Sequence, residues 1–163
     1  MPAPDHVFET SDGVIRLHVF GNVFAGVFES PLTATAFDEV RLWQPKAMPT
    51  DGSKIISFSL AFGAHRIPED VKQAADRLLT EFGQETEASV NVLRAEGFQA
   101  SAARAMLGTI YLLIRVNYPR KVVATVAEGE SWLASKVGQT QALQNAALWL
   151  RGQEREGPRN PHE

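Results

Sequence analysis

Strand-like and helix-like segments alternate along this chain, and that alternation limits its folds more than any single residue does. Lys54 to Phe62 (KIISFSLAF), Ala88 to Ala95 and Lys121 to Val126 read as strands built from apolar and β-branched residues. Between and after them, apolar side chains recur at helical spacing. Strands separated by helices of this length need crossover connections, which produce a largely parallel sheet.

The chain opens differently. Val7 to Thr10, Ser11-Asp12-Gly13 and Val14 to Phe20 read as strand, turn and strand, because Asp-Gly supplies the backbone freedom of a tight hairpin. Ile15, Leu17 and Val19 share one face of the second strand, and Arg16 and His18 point the other way. Val23 to Phe28 is a further apolar stretch that extends the sheet. Ser30 and Pro31 suit the N-cap and first position of a helix carrying Leu32, Ala36, Phe37, Val40 and Trp43, which Pro45 and Pro49 end. Pro68-Glu69-Asp70 opens a second helix with Val71, Ala75, Leu78, Leu79 and Phe82 inward. Gly97 leads into a third, with a wide apolar face from Phe98 to Ile114. A fourth starts near Glu128 and ends at Gly138, and a fifth spans Gln139 to Arg151. The expected fold is α/β: a single domain with a mixed, mostly parallel sheet of four to five strands, an N-terminal hairpin and flanking helices. Residues 1–5 are expected to be flexible, 6–151 to form the domain, and 152–163, without a large apolar residue, to be a disordered tail.

Composition removes several function classes. With 163 residues the chain buries a sizeable core unaided. It has no cysteine, so disulfides, thiolate nucleophiles and thiolate metal sites are excluded. A net charge of −3 gives no overall positive field for nucleic acid or an anionic membrane. Met1 to His6 has neither the basic nor the apolar region of a signal peptide, and Gly108 to Ile114 is far too short to span a bilayer. The expectation is a cytoplasmic protein.

Local spellings add a resemblance. Asp12 to Gly21 (DGVIRLHVFG), Ile55 to Phe62, Glu96 to Arg104 (EGFQASAAR), Tyr118 to Val123 (YPRKVV) and Glu130 to Leu133 (ESWL) carry it. Together these segments resemble the STAS-like domains related to the SpoIIAA anti-sigma-factor antagonists, over roughly residues 6–137. The resemblance implies a SpoIIAA/STAS-like fold and a bacterial signalling or scaffolding role through protein–protein contact. Such antagonists carry a phosphorylatable Ser or Thr at the start of the helix after the central strand. Here that connection is Gly63-Ala64-His65-Arg66-Ile67-Pro68-Glu69-Asp70, without a hydroxyl.

Motifs of catalysis are missing. There is no phosphate-binding glycine loop and no Gly-x-Ser-x-Gly elbow, and His6, His18, His65 and His162 lack metal-ligand spacing. No cofactor or metal is expected. Glu69 and Asp70 read as helix N-terminal acids rather than a catalytic pair. His65 and Arg66 fall after the central strand, where open α/β sheets bind ligands; Arg66 offers a donor fork and His65 titrates near neutrality. The same dipeptide also reads as a plain solvated loop. Ser101 and Arg104 are three apart on the third helix; if Gly97 ends a parallel strand, Ser101 lies on the sheet edge that carries His65, and the two pairs share one surface for a ligand or partner, or form simply a solvated helix face. Arg115, Arg120 and Lys121 around Tyr118 read as a solvated basic corner, and Trp132 as a packing residue. Trp149 also sits at helical spacing and reads as a packing residue; alternatively, Trp149 and Leu150 anchor a partner or a second copy of the chain. The functional expectation is therefore a non-enzymatic regulatory or scaffolding module acting through protein contact. Its alternative is a module binding a small anionic or apolar molecule on the same sheet edge.

Overall fold

The computed structural model describes residues 2–62, 67–94 and 116–159. Its centre is one six-stranded sheet in the order β1 (His6–Glu9), β2 (Ile15–Phe20), β3 (Val23–Phe28), β4 (Ile55–Phe62), β5 (Thr86–Arg94) and β6 (Arg120–Val123). The first two pairings are antiparallel and the last three parallel. This is the expected mixed α/β architecture, with more strands than the four to five expected. The whole of Val23–Phe28 is a full sheet member, because its first five residues are buried between two covered faces.

Local chemistry sets the turns. Gly13 (φ +75°) closes the first hairpin, and Gly21 (φ +58°) takes the first central place of the two-residue turn between Phe20 and Val23. Asp12 does more than turn the chain. Its carboxylate accepts from Thr10 Oγ1 (2.8 Å), the Val14 amide (3.2 Å) and Thr33 Oγ1 (2.6 Å). Burial pushes the Asp12 pKa up, but the hydrogen bonds from Thr33, Thr10 and Val14 outweigh it and hold the carboxyl below the usual range.

Through Thr33, the hairpin also fixes where the next helix starts. Thr33 Oγ1 accepts from the Ala36 amide, so α1 runs Ala34–Trp43, three residues after the start expected at Pro31. The Ser30–Pro31 peptide before it is cis. A 3-10 turn, Gln44–Ala47, follows at Pro45. Helix α2 (Glu69–Phe82) begins after Pro68 as expected, with Ala74 joining Val71 as its buried pair.

Beyond β6, Thr125 caps α3 (Val126–Val137) by accepting from the Glu128 amide. The last strand thus stops three residues short of the expected Val126, which serves α3 instead. Gly138 (φ +85°) closes α3, and Thr140 caps α4 (Gln141–Glu156). Helix α4 outruns the expected end at Arg151 and takes in residues assigned to a tail. Polar contacts hold them there: Gln153 accepts from Arg16, and Glu154 accepts from the Val126 amide. The helix expected from Gly97 to Ile114 lies outside the described residues.

Register sorts the side chains onto two faces. On one, Val23, Ala25 and Val27 align with Ile56, Phe58 and Leu60, and these with Ala88, Val90 and Val92. This face packs on Val126 and Leu133 of α3 and on Leu143, Ala146, Ala147, Trp149 and Leu150 of α4. The other face carries Ile15 and Leu17 under Ala36, Phe37 and Val40 of α1 and Val71 and Ala74 of α2. Both faces are covered, as a parallel sheet requires.

Arg16 and His18 point opposite Leu17, as expected, into buried or half-buried surroundings. Arg16 Nη2 donates to Glu29 Oε1 at 3.1 Å, where Glu29 is 1% exposed. The Arg159 amide donates to the other Glu29 oxygen. The His18 ring stacks on Trp149 at 3.9 Å between centroids, so Trp149 is a buried packing residue and not an exposed anchor. Burial and the neighbouring Arg16 both hold the His18 pKa below its ordinary value.

Candidate protein-interaction edge at strand β6

Strand β6 is the last strand of the sheet among the described residues, and it is short. Its hydrogen-bond phase follows from one contact: the Ser89 amide donates to the Pro119 carbonyl at 3.0 Å. With Ser89 paired to Arg120 and Asn91 to Val122, the parallel ladder uses the backbone of residues 119, 121 and 123. The amide and carbonyl of Val122 therefore turn away from β5, along the outer edge of the sheet. Two residues on, the edge closes. Ala124 donates its amide to Glu128 Oε2 (3.4 Å), and its carbonyl accepts from Arg94 Nη1 (3.3 Å).

Helix α3 sits beside this edge because of a glycine. A Cβ on Gly129 would lie 2.9 Å from Phe58 Cε1 and 3.3 Å from Val92 Cγ2, so the helix backbone rests directly on β4 and β5. Held over those strands, α3 leaves β6 at the floor of a groove of about 880 Å³ that opens to solvent. Val122, Val123, Ala124 and Ala127 give it apolar surface, and Lys121, Glu128, Ser131 and Trp132 complete its described lining. Trp132 is half-buried, with Lys136 Nζ 5.9 Å from its ring centroid. Just before β6, burial raises the Tyr118 phenol above its usual pKa, with Arg120 opposing, so Tyr118 enters the strand as a neutral packing residue.

This arrangement offers two kinds of contact to an extended chain: one outward backbone donor–acceptor pair and an apolar trough bordered by Trp132. Addition of a strand to a sheet edge uses this combination. Among the described residues no group of three His, Cys, Asp or Glu side chains is placed to hold a metal. No described helix is long and apolar enough to cross a membrane.

His65, Arg66, Ser101 and Arg104 all fall outside the described residues. The segment leading to the first pair is placed: β4 ends at Phe62, at the same end of the sheet as Arg94 of β5. From sequence alone, the groove residues read as a solvated corner and a packing tryptophan. The signal in the sequence is a lysine within a β-branched strand, a frequent form of sheet edge. No family model matches the chain, and neither the search of curated proteins nor that of solved structures returns a match.

Proposed function

We propose that this chain is a non-enzymatic protein-interaction module that receives an extended segment of a partner along β6. The observation that carries the reading is the outward backbone of Val122 lying in a groove beside the half-buried Trp132. An edge strand supplies main-chain hydrogen bonds to any sequence, and the trough beside it supplies selectivity. The SpoIIAA/STAS-like resemblance, with a bacterial cytoplasmic regulatory or scaffolding role, belongs to the same proposal.

The test is selection of a displayed library of random peptides on the folded protein, followed by NMR mapping of an enriched peptide. The expected result is amide shifts confined to residues 120–124 and 127–132. Val122→Pro removes an amide that the β5 ladder does not use, so it spares the sheet and abolishes binding. Shifts centred elsewhere, or binding indifferent to Val122→Pro, overturn the reading.

A further inference from the structure

The charges around the groove narrow the partner, an argument that rests on the β6 reading above. Lys121 is exposed and lines the groove, and Lys136 stands over the Trp132 ring. The ion pairs of the described residues involve neither lysine. The groove's acidic side chain, Glu128, is already engaged, with Oε2 on the Ala124 amide and its own amide on Thr125 Oγ1. Glu130, on the same helix, is held by Arg151 at 2.6 Å. Among the described residues neither lysine near Trp132 has a carboxylate partner, while Glu130 is paired with Arg151 and Glu128 caps the Ala124 amide.

Strand geometry converts this into a pattern. Lys121 and Val123 project from the same face of β6, two residues apart, toward the side that α3 covers. A strand lying alongside would place one side chain against Lys121 and, two residues away, another against Val123 and Ala127.

We propose that the β6 groove recognises an extended segment of another protein in which an acidic residue and an apolar residue are two positions apart. The acidic side chain lies between Lys121 and Lys136, and the apolar one occupies the trough beside Trp132. A two-fold pairing of β6 with its own copy is the poorer occupant. The strand reads Arg120-Lys121-Val122-Val123, and such pairing crowds cations against cations. Pairing with β1 of a second copy gives head-to-tail, open-ended growth.

The experiment sequences the peptides selected on the wild-type protein and repeats the selection on Lys121→Glu/Lys136→Glu. Both lysines are exposed, so the double variant keeps its fold, which circular dichroism verifies. Wild type is expected to enrich the acidic-x-apolar pattern, in either chain direction. The double variant is expected to bind those peptides at least about fivefold more weakly, as two exposed ion pairs turned repulsive imply, and to enrich basic residues instead. Peptides that map to β6 without an acidic preference overturn this inference and leave the interaction reading standing. Peptides that map elsewhere, or no enrichment at all, overturn both. Concentration-dependent self-association that Lys121→Glu changes would assign the groove to a second copy and also overturn the proposal.

Discussion

Gly129→Ala sets helix propensity against packing, and the structure decides the sign. Gly129 lies inside α3, where alanine is favoured over glycine by about 0.8–1.0 kcal/mol. Judged from the helix alone, the substitution stabilises. The added methyl, however, meets Phe58 Cε1 at 2.9 Å, Phe58 Cζ at 3.3 Å and Val92 Cγ2 at 3.3 Å. Phe58 and Val92 are both 0% exposed, so neither has open space into which to retreat. Overpacking of such a core costs about 1–3 kcal/mol. The net expectation is a loss of up to about 2 kcal/mol, and the backbone of α3 moves off the sheet, reshaping the β6 groove. Gly152→Ala is the control. Gly152 lies inside α4, a Cβ there meets nothing within 4 Å, and the same propensity is gained without opposition, about 0.5–1 kcal/mol. Urea denaturation monitored by circular dichroism compares the two variants with wild type. Stabilisation of Gly129→Ala to the same degree as Gly152→Ala would refute the claim that α3 sits on Phe58.

Three further outcomes follow from polar side chains held in the fold. Glu29→Ala leaves Arg16 without its partner beneath α4 and should cost about 3–5 kcal/mol in denaturant unfolding; removing Arg16 as well should recover part of that loss in a double-mutant cycle. Asp12→Ala removes the acceptor shared by Thr10, Val14 and Thr33 and should cost about 1–2 kcal/mol, read by the same assay. His18 has its pKa lowered in the fold, so the unfolded chain binds the proton more readily. Its contribution is complete above pH 6.5 and is lost as the pH falls from there through the lower folded value. Thermal melts between pH 7.5 and 5 should therefore show a fall in Tm that His18→Phe, which retains a ring against Trp149, reduces; an unchanged slope would contradict it.

Much of the candidate site was legible only as fragments. Lys121 and Trp132 stand out in the sequence as a basic residue in a short strand and an aromatic in a helix. Neither spacing says that they line one groove, because α3 is seated over the sheet by Gly129 on Phe58 of β4 and Val92 of β5, which are distant in the chain. The open backbone of Val122 depends on the phase of a ladder with β5, some thirty residues earlier. His65, Arg66, Ser101 and Arg104 were chosen by the general habits of α/β sheets, and the described residues include none of them.

What the sequence determined by itself was the identity and order of the described elements. Period-two and helical patterns, the Asp12-Gly13 turn, Pro68 before α2 and Gly138 after α3 are local signals, written within a few residues of the structure they specify. Where α1 begins was already a tertiary decision, since Thr33 is held by Asp12 from the hairpin. So were the length of α4 and the burial of Arg16 and Glu29 beneath its end. A buried charge is stable only where a partner, here thirteen residues away, arrives with opposite sign. Periodicity assigns a side chain to a face; only the assembled sheet and helices decide whether that face meets water, a core or an ion.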